Sequence, residues 1–178
     1  EYGYSCMGYE IAGGLGVKLA KPQREVVVLV GDGSYLMMNS EIATSIALGL
    51  KLTIVLLDNR GFGCINRLQA ACGGESFNNL LDEDAPKVDF VAHARSLGAH
   101  AVKANGIAEL EARLEDAKQI RHTTVIVIDT DPRHSTASGG AWWDVAVPQV
   151  SQSAAVNAAY ETYRQHLATN PDLAKHTP

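Results

Sequence analysis

The chain has 178 residues, long enough for one α/β domain with a full core and too short for two large ones. Its formal net charge of −5, with no basic run, excludes a nucleic-acid partner or an anionic membrane held by bulk electrostatics; a small polyanion bound through a metal stays open. No apolar run approaches the roughly 18–20 residues of a membrane span, and no basic flank leads into an apolar segment. Cys6, Cys64 and Cys72 lack CxxC spacing, which argues against a disulfide framework or a zinc site. The expectation is a soluble cytoplasmic protein with reduced cysteines.

Residues Glu1-Tyr2-Gly3-Tyr4-Ser5 read like the middle of a domain, so a fragment of a longer chain is expected. Met7–Ala20 has helical spacing (Ile11, Leu15, Leu19), with Gly8, Gly13, Gly14 and Gly16 allowing close packing and Pro22 stopping it. Val26–Val30 is an apolar, β-branched run, expected to be a strand buried on both faces of a parallel sheet. The pattern then predicts a helix over Met38–Leu48 and a strand over Leu52–Leu57. From Arg60 to Lys87 it dissolves, apart from a helical stretch near Ile65–Ala71; a connection this long is usually functional or mobile.

Helix Asp89–Leu97, strand Ala99–Ala104, amphipathic helix Ile107–Ile120 and strand Thr123–Asp129 follow. A last helix over Ala154–Leu167 carries Val156, Tyr160, Tyr163 and Leu167 on one face. This alternation predicts a doubly wound parallel sheet with helices on both faces. Residues 1–133 are read as that domain and 134–178 as a C-terminal lid or tail.

The chemistry is concentrated at the ends of the first two strands. Gly31-Asp32-Gly33-Ser34 and Leu57-Asp58-Asn59 each follow an apolar run, so neighbouring parallel strands would deliver Asp32 and Asn59 to one sheet edge, where open α/β sheets bind ligands. A hard cation such as Mg²⁺ takes oxygen ligands and often completes its shell with phosphate and water. Asp32 offers a carboxylate and Asn59 an amide oxygen. The flanking glycines and the following helix suit a phosphate, with Ser34 adding a hydroxyl.

GDGS followed after about 25 residues by Asn resembles the cofactor-anchoring motif of the thiamine diphosphate (ThDP) enzymes, and the chain is similar to their C-terminal, diphosphate-binding domain. The resemblance implies Asp32, Asn59 and the Gly61 carbonyl as ligands of Mg²⁺, with Gly31, Gly33 and Ser34 beside the diphosphate. The first Asn of the usual pair is Asp58 here, a departure that bears on local hydrogen bonding. Cys6-Met7-Gly8-Tyr9 resembles the segment in which acetolactate-synthase-like members place an apolar wedge, implying Met7 under the cofactor and the Ser5 carbonyl as acceptor for its amino group.

Residues 1–10 and Ala141-Trp142-Trp143-Asp144-Val145 look most like the branch of the family that hydrolyses a C–C bond of a cyclic 1,2-diketone, giving an open-chain deoxy-uronic acid. The resemblance also implies an N-terminal pyrimidine-binding domain supplying a glutamate. A second subunit would complete the site, so the intact enzyme would be a homodimer or homotetramer and this segment inactive alone. Two alternatives stand beside it: another ThDP-dependent 2-keto acid lyase or carboligase, and a non-catalytic α/β binding module.

Other features have plainer readings. Gly13-Gly14-Leu15-Gly16 lies in a helix before the strand and serves packing, not dinucleotide binding. Met37 and Met38 read as core residues, Cys64 as a packing thiol and His134 as a surface-loop histidine. His93 has no partner pattern. Trp142 and Trp143 fit either a lid or an anchor.

Overall fold

Four apolar segments form one parallel sheet: β1 (Val27–Gly31), β2 (Thr53–Asp58), β3 (His100–Ala104) and β4 (Thr124–Asp129), in the order β1-β2-β4-β3. The structure, a computed structural model, describes residues 6–81, 84–134 and 146–169. Ser5, Trp142 and Trp143 therefore lie outside the described residues. β2 and β4 are central, β4 buried up to its last residue and β2 through its middle, which is why their sequences show no polar alternation.

β1 departs from expectation. It lies at the sheet edge and alternates: Val28 and Val30 are buried, while Val27 and Leu29 are 53% and 65% exposed. Its covered face packs under α1 (Glu10–Ala20), where Ile11 and Leu15 join the core and a Cβ on Gly14 would collide with Val28. Of the glycine run, Gly14 thus does serve packing against the sheet, whereas nothing lies within 4 Å of a Cβ on Gly16.

Helices cover both faces of the sheet. Ile42 of α3 (Glu41–Ala47) and Phe90 and Ala94 of α5 (Phe90–Ser96) pack with Ile11, Leu15, Ile54, Leu56 and Val125 on one side. On the other, Leu110, Leu114 and Ala117 of α6 (Ile107–Gln119) pack with Val55, Ile126 and Ile128. A buried polar set ties α3 to the sheet. Thr123 Oγ1 accepts from Leu52 N–H at 3.1 Å and is hydrogen-bonded to Ser45 Oγ at 2.8 Å, and that Ser45 hydroxyl donates to Ile42 O at 2.7 Å.

Two helices start elsewhere than expected. α1 begins at Glu10, because Gly8 takes φ +91° and interrupts the helical path after Met7. The expected Met38–Leu48 helix is the shorter α3, and a separate helix, α2 (Asp32–Met37), precedes it; between them, at Met38–Ser40, Asn39 Nδ2 donates to Leu36 O at 3.3 Å. α2 therefore starts at Asp32 itself. α5 starts as its sequence suggests, Asp89 Oδ1 accepting from Ala92 N–H at 2.9 Å.

The chain divides into two compact units, residues 1–61 with 82–132, and residues 62–81 with 133–178. The sheet belongs to the first. In the second, α4 (Gly63–Ala71) is followed by Gly73 at φ +76°, which meets the backbone of Ala155 too closely for any side chain. There α7 (Ala154–Thr169) half-buries Val156, Tyr160, Tyr163 and Leu167, the face its periodicity predicts. No helix among the described residues is long and apolar enough to cross a membrane.

Candidate functional site

β1 and β2 run side by side in register, Gly31 opposite Leu57, so the residues that follow emerge at one edge of the sheet. There the chain folds back on Asp32. Asp32 Oδ2 accepts from Gly61 N–H at 2.6 Å, and Oδ1 accepts a longer bond from Asn59 N–H at 3.4 Å. Asp58 shapes the turn: its Oδ1 accepts from Arg60 N–H at 3.0 Å, while its carbonyl accepts from Thr130 N–H at 2.8 Å. Arg60 takes φ +64° and Gly61 φ +145°, the second a value that disfavours any residue but glycine.

The Asn59 side-chain amide closes the group. It stands 2.9 Å from the Gly61 carbonyl oxygen and 3.1 Å from Asp32 Oδ1, and with its nitrogen inward it donates to both. With its oxygen inward, a carboxylate, an amide and a main-chain oxygen come together. An octahedral ion with metal–oxygen distances of about 2.1 Å spaces adjacent ligands roughly 3 Å apart. The three groups therefore fit a small hard cation. No three His, Cys, Asp or Glu side chains gather to hold a metal among the described residues; this set is built from other oxygen types.

Electrostatics favour the same occupant. Burial raises the Asp32 carboxyl above its ordinary value, the charge of Asp58 adds to the rise, and the Gly61 and Asn59 N–H groups oppose it. A cation would relieve that strain on the ionised form. Beside Asp32, Gly31 has an ordinary φ of −75° and nothing within 4 Å of where a Cβ would stand. Neither backbone nor packing calls for glycine, and the missing side chain leaves the start of α2 open. The Gly31 N-cap makes no side-chain bond to α2, and Gly33 and Ser34 lie buried in that first turn.

Met7 lies in the turn before α1 and is 38% exposed. Its neighbour Gly8 is set against α2, where a Cβ would come within 2.8 Å of Met37 Cβ. The Met7 segment and the Asp32 helix are thus adjacent. Met37 and Met38 are not core residues: they are 52% and 42% exposed, because α2 ends after Met37 and its buried residues are Asp32, Gly33, Ser34 and Tyr35. Cys64 is exposed at the start of α4, not packed, and His134 is also exposed.

One contact escapes sequence reasoning. Tyr35, one turn after Asp32, is fully buried, packs edge-on to Phe90 at 5.5 Å, and is hydrogen-bonded to His93 Nδ1 at 2.9 Å. Burial pushes its hydroxyl up to about 12, so it stays neutral. The pair is 58 residues apart, and its only sequence signal is two polar-tipped rings on inward-facing positions of α2 and α5.

Residues 1–129 match the family described as "Thiamine pyrophosphate enzyme, C-terminal TPP binding domain". Proteins named 3D-(3,5/4)-trihydroxycyclohexane-1,2-dione hydrolase are similar to 94% of the chain, at 46% identity in Bacillus licheniformis and 45% in Bacillus subtilis. The chain spans 27% of the length of each of these relatives. The fold is shared with a solved ThDP-dependent 4-hydroxybenzoylformate decarboxylase of Rhodococcus jostii RHA1, at TM-score 0.64 and 22% identity over 70% of this chain and 23% of that one. Benzoylformate decarboxylase of Polynucleobacter necessarius gives TM-score 0.62 and 24% identity over 72% and 24%. With residues 1–129 matched and the parallel sheet in common, the chain belongs to the thiamine pyrophosphate enzyme family through its C-terminal TPP-binding domain.

Proposed function

We propose that this chain is the cofactor-anchoring part of a ThDP- and Mg²⁺-dependent hydrolase that opens a cyclic 1,2-diketone of the trihydroxycyclohexane-1,2-dione type, yielding 5-deoxy-glucuronate in the cytoplasmic breakdown of myo-inositol. The observation that carries the cofactor reading is the Asn59 amide standing 2.9 Å from the Gly61 carbonyl oxygen and 3.1 Å from Asp32 Oδ1. The substrate reading is supported by similarity that continues past residue 129, where the cofactor-binding match ends, to cover 94% of the chain.

In this reading Asp32, Asn59 and the Gly61 carbonyl would hold Mg²⁺, a hard cation that neutralises diphosphate charge. Gly31, Gly33 and Ser34 would flank the diphosphate at the start of α2, and Met7 would supply apolar support to the cofactor. Bound ThDP supplies a nucleophilic carbon and an electron sink for C–C cleavage. The chain's part is to orient it. The overall reaction adds one water across a ring C–C bond and leaves a carboxylate. An N-terminal pyrimidine-binding domain of a second subunit completes the site, which makes the working enzyme a homodimer or homotetramer.

Full-length protein, loaded with ThDP and Mg²⁺, is tested on the cyclic diketone and on pyruvate. Release of the acid from the diketone is expected. Turnover of pyruvate alone would overturn the substrate reading, and an absence of Mg²⁺-dependent ThDP binding would overturn the cofactor reading.

A further inference from the structure

We infer that Asp58 is a positioning residue for the cation at the Asp32–Asn59 edge: it builds the turn that aims Gly61 and adds a second negative charge beside the site. The inference rests on the cation reading proposed above. Asp58 ends β2, its main chain fixed to β4 by the bond from Thr130 N–H to its carbonyl. From that fixed point its Oδ1 accepts from Arg60 N–H, the bond that closes an Asx turn. The turn accommodates Arg60 in the left-handed region, which a non-glycine residue enters readily only with such local support. The next residue is Gly61, whose N–H reaches Asp32 Oδ2 and whose carbonyl faces the Asn59 amide. One carboxylate thus sets the register of both Gly61 groups.

The charge is a separate matter. Asp129 sits opposite Asp58 on β4, and its carboxylate is paired with Lys103 Nζ at 2.8 Å. Asp58 takes part in no ion pair among the described residues; its side chain is half-buried and its bond is to a neutral N–H. Its charge is therefore available to the edge where Asp32 already stands, and a divalent cation would feel both carboxylates.

Two substitutions in the full-length protein separate the roles. Asp58→Asn keeps an oxygen for Arg60 N–H and removes the charge, whereas Asp58→Ala removes both. Mg²⁺ affinity is read by calorimetric titration at saturating ThDP, alongside the melting temperature of the metal-free protein. Asp58→Asn is expected to weaken Mg²⁺ binding about three- to tenfold, the scale of one charge removed from a partly solvated site, with an unchanged metal-free melting temperature. That loss should shrink at high salt. Asp58→Ala is expected to lose roughly tenfold more as the turn loosens. Equal Mg²⁺ affinity in wild type and Asp58→Asn overturns the charge role, and equal affinity in the two variants overturns the turn role. If wild type binds ThDP without Mg²⁺ dependence, the cation reading itself falls and this inference falls with it.

Discussion

Gly61→Ala isolates the loop that crosses the sheet edge. Gly61 sits at φ +145°, where a side chain costs about 1–3 kcal/mol, so the variant must either hold that strain or rotate the peptide. Rotation breaks the 2.6 Å bond from Gly61 N–H to Asp32 Oδ2, a charge-assisted bond of about 1.5–3 kcal/mol, and turns the carbonyl away from Asn59. The loop takes the cheaper path: holding the strain lowers metal-free stability by about 1–3 kcal/mol, read by urea unfolding, and rotating the peptide lowers Mg²⁺ affinity instead, by up to about tenfold. The assay is a Mg²⁺ titration of full-length protein at fixed ThDP. Gly106→Ala is the control: its φ of 161° is extended backbone, nothing lies within 4 Å of its Cβ position, and its Mg²⁺ affinity should match wild type. Wild-type metal-free stability together with wild-type Mg²⁺ affinity in Gly61→Ala would refute the reasoning, because neither strain nor rotation would then follow from a side chain at that φ.

Asp32→Asn separates stability from binding. Burial raises the folded-state pKa of Asp32, so the native state keeps that proton to higher pH than the unfolded chain, and stability declines as pH rises through the folded value. At neutral pH without metal, chemical denaturation should find the variant no less stable than wild type, while Mg²⁺ with ThDP stabilises only wild type. Tyr35 titrates at the alkaline end. With a folded value near 12 against 10 when free, the contribution of its hydroxyl is complete below pH 10 and is lost between about 10 and 12; Tyr35→Phe should flatten the alkaline stability curve in that window. Thr123→Val keeps the shape and strands the buried Leu52 N–H and Ser45 hydroxyl partnership, at about 1–3 kcal/mol by urea unfolding; adding Ser45→Ala should cost less than the sum of the two.

Much of the architecture is legible because it is written in local chemistry. The β-branched runs before Asp32 and Asn59 and over Thr123–Asp129 specify strands, and helical spacing between them implies a parallel sheet with Asp32 and Asn59 at one edge. What the sequence hides is tertiary. Met37 and Met38 read as core by hydrophobicity alone, yet α2 stops after Met37 and leaves both exposed. Val27 and Leu29 look as buried as Val28 and Val30, since nothing in a run of apolar residues says which strand is at the edge. The Tyr35–His93 bond joins helices 58 residues apart, beyond any periodicity. Asp58 stands out as a departure from the family motif, but its bond to Arg60 N–H emerges only once the turn is built.

The outer face of β1 carries a practical consequence. An edge strand offers unpaired backbone groups, and here Val27 and Leu29 add apolar surface to that edge. Such a strand is adhesive: in concentrated solution a second strand, or a second molecule of this chain, can zip onto it. Self-association of the isolated chain would then report stickiness of a border left exposed among the described residues, not the quaternary structure of the full-length protein. Detergent- or concentration-dependent size changes in the isolated chain, absent from the full-length protein, would be the signature of that border.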